Sequence, residues 1–160
     1  MKCSPQASRR RNTPSAWWIW RAACATRVPF WMAGDHFIVA HGHINNGPEQ
    51  FYFMDTGLAG LGFTAPANTL REGGVQLPDS GVTVATPTGP GTVTPFTIDR
   101  LSLGGATEEG VRGIVGPFPP STEYMFGFRI AGIISHTFFR PYAVTFDFAN
   151  MQVYLQRAAR

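Results

Sequence analysis

The chain has 160 residues, of which 44% are hydrophobic and only 14% charged, a balance that excludes a disordered polyelectrolyte and leaves one domain with a sizeable core. The net charge of +3 rests largely on Lys2, Arg9, Arg10, Arg11, Arg21 and Arg27; the remainder is mildly acidic, so no basic face for nucleic acid is present. No apolar run approaches the roughly 18 residues of a membrane span.

The N-terminal segment comes first. Basic residues precede Ala16-Trp17-Trp18-Ile19-Trp20, and Ala23-Cys24-Ala25 has the small residues of a cleavage site. Arg21 cuts the apolar stretch short of the about 7–15 residues of a secretory h-region, which leaves a cytoplasmic and a secreted location both open. Residues 1–34 therefore read as a leader or tail without chemistry. Cys3 and Cys24 both lie in it and cannot staple the body of the chain. An ordered domain is expected over residues 35–156.

That domain opens on His36-Phe37-Ile38-Val39-Ala40-His41-Gly42-His43-Ile44, rich in strand formers, which Asn45-Asn46-Gly47-Pro48 breaks with a strong turn signal. Gln50-Phe51-Tyr52-Phe53-Met54 follows with apolar groups on both faces, the pattern of a central strand covered twice, and leads directly into Asp55-Thr56-Gly57. Residues Thr64 to Glu72 suit a short helix capped by Thr64, with Pro66 in its first turn. Val82-Thr83-Val84-Ala85-Thr86 and the segment from Thr92 alternate on either side of Pro87-Thr88-Gly89-Pro90-Gly91, so 81–95 reads as a projecting hairpin. Leu101-Ser102-Leu103 ends at Gly104-Gly105, Val111 to Val115 is strand-like, and Gly116 to Glu123 reads as a Pro-rich loop. The closing third carries Ile130-Ala131-Gly132-Ile133-Ile134. One helical turn over Ser135 to Arg140 ends at Pro141, and a hairpin runs from Ala143-Val144-Thr145-Phe146-Asp147-Phe148 to Met151-Gln152-Val153-Tyr154-Leu155. The expected fold is all-β: a small closed barrel with a hairpin flap and one or two short helices.

A carboxylate placed after a doubly buried apolar strand is costly to accommodate. Thr56 adds a hydroxyl, and Gly57 allows close backbone approach with its N–H exposed. Phe53-Met54-Asp55-Thr56-Gly57, Gly132-Ile133-Ile134-Ser135-His136-Thr137-Phe138-Phe139-Arg140 and Val144-Thr145-Phe146-Asp147-Phe148 occur in that order. In these segments the chain resembles the retropepsin-like aspartic proteases, especially their single-domain bacterial relatives, over about residues 35–156.

The resemblance implies an acid-protease-like barrel in which Asp55 is the catalytic carboxylate of an aspartic endopeptidase. Two such groups side by side share a proton, one activating water and the other hydrogen-bonding the scissile carbonyl of a peptide or protein substrate. Thr56 and Gly57 would support the active-site loop, and Thr88, Gly89 and Gly91 of the flap would contact substrate. No cofactor and no metal is implied. Asp35, Asp79, Asp99 and Asp147 lack a following Thr-Gly or Ser-Gly, so a pair of such turns needs two chains and a homodimer. Met151–Leu155 is the terminal strand expected at that interface.

Two residues depart from the family pattern. Leu58 stands where a small residue is usual, and Ser135 where Gly follows the apolar pair. They keep a second reading open, a catalytically silent binding or dimerisation module, and a third, one lobe of a former two-lobed protease. His36, His41 and His43 cluster without an evident carboxylate or cysteine partner and read as a solvated strand face rather than a metal site. His136 reads as a capping or packing residue.

Overall fold

The structure is a computed structural model that describes residues 25–58, 60–86, 89–116 and 120–158. Along the chain run β1 (Thr26–Ala33), β2 (Phe37–Ile44), β3 (Gln50–Asp55), β4 (Phe63–Ala65), α1 (Ala67–Glu72), β5 (Val82–Thr86), β6 (Gly89–Val93), β7 (Pro95–Leu103) and β8 (Ala106–Val115). They are followed by α2 (Pro120–Phe126), β9 (Gly132–Ser135), α3 (His136–Phe139), β10 (Tyr142–Asp147) and β11 (Gln152–Arg157). The all-β expectation holds, with three short helices among the described residues.

Six strands close on themselves in the order β2-β3-β9-β4-β8-β7, because β7 pairs back onto β2. Closure passes through Gly42, which lies opposite Gln50 on β3 and Leu103 on β7. A Cβ at Gly42 would sit 2.2 Å from the Ser102 carbonyl oxygen, so only glycine lets β2 serve both neighbours there. β5 and β6 form a separate two-stranded hairpin, the flap-like element expected over 81–95.

The expected start of order at Asp35 is corrected. Thr26–Ala33 is a strand: Thr26–Pro29 pairs with β11 and Phe30–Ala33 pairs with β2. Val28 and Phe30 point inward at 1% exposure while Arg27, Pro29 and Trp31 point out, a period-two pattern typical of a half-buried strand. β1 thus joins the barrel to the β10–β11 hairpin. Residues 1–24, with both cysteines and Trp17-Trp18-Ile19-Trp20, lie outside the described residues.

The helix expected from Thr64 begins later. Thr64 belongs to β4, which pairs parallel to β8 and antiparallel to β9, and Pro66 is the residue that precedes the first helical turn. Burial of Phe63 and Ala65 on one face of β4 outweighs the capping propensity of Thr64. The Pro-rich stretch contains α2, for which Pro120 has the preset φ of a first helical position.

The core is continuous through the barrel. Tyr52, Phe63 and Phe96 meet edge to face, and Ile98, Leu101, Leu103, Ile134 and Phe138 fill the space around them. A second cluster covers the other face of β3: Phe51 packs on Phe128, and Phe53 on Phe37, which touches Phe126. β3 is therefore covered on both sides, as its residues predict.

α1 is tied down by charge. Arg129 donates to Glu72 at 3.0 and 3.1 Å and to the Thr69 hydroxyl at 2.7 Å, while the Gln50 side chain donates to Glu72 at 2.6 Å. Arg129 hydrogen bonding holds the Glu72 carboxyl below the ordinary glutamate range. A lowered carboxyl contributes stability above its unfolded value and loses it as pH falls through the folded value. Thermal melts taken from neutral pH down through the glutamate range should therefore show an acid limb that Arg129→Met makes shallower. An unchanged limb in Arg129→Met would remove Glu72 from the account.

Candidate active site

Asp55 is the last residue of β3, and β9 runs parallel beside it with Ser135 opposite Asp55. Tyr52 and Met54 turn into the core at 1% and 5% exposure. Alternation then places Phe51, Phe53 and Asp55 on the opposite face, where they are half-buried. The carboxylate thus ends up at the mouth of the strand rather than within the barrel, which relieves the cost of burying its charge.

The turn after β3 folds back onto the carboxylate. The Gly57 N–H donates to Asp55 Oδ1 at 2.7 Å, and a Cβ at position 57 would lie 3.2 Å from the same oxygen. Glycine permits this close approach; a side chain would push the carboxylate away. Thr56 and Gly57 are both exposed, and Leu58 is half-buried.

The turn is clamped from behind by three backbone bonds. The Ser135 N–H donates to the Gly62 carbonyl at 2.9 Å, Thr137 N–H to Leu61 at 3.0 Å, and Gly62 N–H to Arg112 at 3.1 Å. Sequence reasoning missed the part played by Ser135. Its fully buried hydroxyl lies 2.8 Å from the Asp55 carbonyl oxygen and 2.7 Å from that of Leu58, and its single proton serves one of them at a time. The hydroxyl joins the end of β3 to the turn beyond Gly57, which a glycine could not do through a side chain. The signal was its position after Ile133-Ile134; the partners lie 77 and 80 residues away.

Ser135→Ala leaves those carbonyls without that donor in a buried setting. A loss of about 1–3 kcal/mol is expected, read as a lowered denaturant midpoint with an unchanged slope. A midpoint equal to wild type would show that the hydroxyl holds nothing.

The other sequence candidates are distributed as follows. Gly89 and Gly91 lie on β6 of the hairpin, Gly89 with φ of +117°, and Thr88 lies outside the described residues. Of the remaining aspartates, Asp35 is engaged by His36, and Asp147 accepts from the Asn150 N–H at 3.0 Å and its side-chain amide at 2.7 Å. Both carboxyls are held below the usual range by these bonds. The view that His41 and His43 lack a carboxylate partner is corrected: Glu49 reaches His41 Nδ1 at 3.2 Å and His43 Nε2 at 3.5 Å. His136 is exposed rather than packed and lines a hollow of about 530 Å³ beside the turn, together with Gly60, Gly62, Arg112 and Arg140. Asp55 does not line that hollow. No helix among the described residues is long and apolar enough to cross a membrane.

No protein-family model and no curated protein matches the chain in sequence. Among solved structures it is similar to a retropepsin-like aspartic protease from Rickettsia conorii, with a TM-score of 0.59 at 14% identity, covering 84% of this chain and 94% of that one. At this identity the likeness concerns the backbone: a closed six-stranded barrel with a separate hairpin, and it is a retropepsin-like fold.

Proposed function

We propose that the chain is an aspartic-type endopeptidase that works as a homodimer, with one Asp55 from each copy. The observation that carries this reading is the Asp55 turn itself. A half-buried carboxylate at the end of a central strand accepts the Gly57 N–H, and Ser135 and the parallel strand β9 hold its backbone in place. Such a carboxylate is fixed in direction and only half-buried.

In that assembly the two carboxylates share one proton. The ionised oxygen takes a proton from water as the water attacks the peptide carbonyl, and the protonated partner donates to the carbonyl oxygen as it gains charge. Thr56, exposed in the single chain, would meet its copy across the twofold axis. The β5–β6 hairpin, including Gly89, Gly91 and Thr88, would close over the peptide and exclude water.

The test is cleavage of an unstructured peptide by the purified chain, with and without the transition-state inhibitor pepstatin. Cleavage that pepstatin blocks is the expected result. Absence of cleavage over a range of peptides and acid to neutral pH, in a sample shown to be dimeric, would overturn the reading.

A further inference from the structure

The hollow of about 530 Å³ beside the Asp55 turn lies outside the proposed catalytic centre, since Asp55 does not line it. Its volume falls within the roughly 300–1,000 Å³ of sites that hold small molecules. Glycines keep it open. Gly60 and Gly110 have φ of +83° and +62°, and a Cβ at either would meet nothing within 4 Å. Gly110 also interrupts β8: the register with β7 pairs Ile98 with Val111 and Arg100 with Glu109, and skips the residues between them. The left-handed glycine thus breaks the ladder at the rim of the hollow.

The side chains that line it are charged, and their charges do not cancel. Arg112 and Arg140 are exposed, and among the described residues neither guanidinium meets a carboxylate. Of the two carboxylates on the lining, Glu108 is held by Arg157 and the Tyr142 hydroxyl, which leaves Glu109 against two guanidiniums. His136 and the Thr137 hydroxyl add further hydrogen-bonding groups. Two unpaired guanidiniums in one concavity favour an anion, because each presents a rigid fork of N–H donors to carboxylate or phosphate oxygens.

We propose that this hollow binds a small hydroxylated dianion, of the class of a sugar phosphate or a hydroxy-dicarboxylate. The negative charges meet Arg112 and Arg140, and the ligand's hydroxyl groups donate to Glu109. A lone inorganic phosphate would leave most of the volume to water, so the body of the ligand is part of the fit. The site touches the clamp on the Asp55 turn. Gly62, Arg112 and Thr137 all line the hollow, and each carries one end of a clamping bond: Gly62 N–H donates to the Arg112 carbonyl, and Thr137 N–H to that of Leu61. A ligand there rests against the backbone that holds the turn. The proposal stands whether or not Asp55 hydrolyses peptides.

Titration of the full chain with ribose 5-phosphate and, separately, with tartrate tests the proposal, read by calorimetry and by backbone amide shifts. At least one of the two should bind saturably with Kd below about 1 mM, and the tighter of them tells phosphate from carboxylate. The amides of Gly60, Gly110 and Thr137 should shift on the same isotherm. Arg112→Gln/Arg140→Gln should weaken binding on the order of 100-fold, a charge-assisted bond being worth about tenfold or more at each position. Its melt should match wild type, because both side chains are exposed. Should the double variant melt early, the wild-type amide shifts decide, and shifts confined to other residues would overturn the proposal. So would the absence of saturable binding by either dianion, equal affinity for neutral ribose or inorganic phosphate, or a folded double variant that binds as wild type. Asp55→Asn should bind as wild type; an altered affinity would place the ligand at the turn and not in the hollow. Binding by a chain that cleaves no peptide would sink the peptidase reading and leave this site standing.

Discussion

Asp55→Asn should remove peptide hydrolysis while leaving the barrel folded. The amide is nearly isosteric and can still accept the Gly57 N–H through its carbonyl oxygen, so the turn seen at 2.7 Å is retained. It cannot take a proton from water, and in a dimer both members of the pair are changed at once. General acid–base assistance alone is worth on the order of 10²–10⁴-fold, so the rate should fall by at least that factor. Steady-state peptide cleavage together with a thermal melt makes the comparison. A rate within a few-fold of wild type, at an unchanged melt, would mean that Asp55 is only a structural acceptor in a tight turn.

Phe63→Ala should cost the fold about 3–5 kcal/mol, a large share of the roughly 5–15 kcal/mol that keeps a domain of this kind folded. Phe63 is 0% exposed, packs edge to face on Tyr52 at 5.5 Å and Phe96 at 6.3 Å, and starts the short strand β4 wedged between β8 and β9. Its removal leaves a cavity that these strands cannot close, because Gly132 already brings backbone against this ring and Gly113 against the neighbouring Phe96 ring. Phe63 also follows Gly62, one of the anchors of the Asp55 turn, so activity should drop with stability. Urea unfolding measures the loss. A change below about 1 kcal/mol would show that the barrel repacks around position 63.

Local patterning carried much of the architecture. The alternation in 82–86 and 142–147, the turn at Asn45, whose φ is +51°, and the doubly apolar run 50–54 were legible because each depends on neighbours in sequence. Asp55-Thr56-Gly57 stood out for the same reason: a carboxylate and a glycine two residues apart make their bond within the turn. β1 was legible in principle, since Arg27 to Trp31 alternates, but Pro29 and the adjoining basic segment masked it. Only pairing with β2 and β11 reveals why Pro29 is tolerated: it is the last β11 partner before the strand changes neighbours.

What the tertiary structure alone decided are the relations across long sequence separations. The clamp of Ser135 on Asp55 and Leu58 depends on a parallel strand pair formed by segments 80 residues apart, and no local periodicity encodes such a register. Glu49 meets His41 and His43 only because the turn at 45–49 folds back across β2. Barrel closure at Gly42 likewise belongs to strand order, which hydrophobic alternation does not specify. Alternation says which face of a strand is buried; which strands lie beside it is decided by closing the chain into a barrel with the fewest unpaired backbone groups.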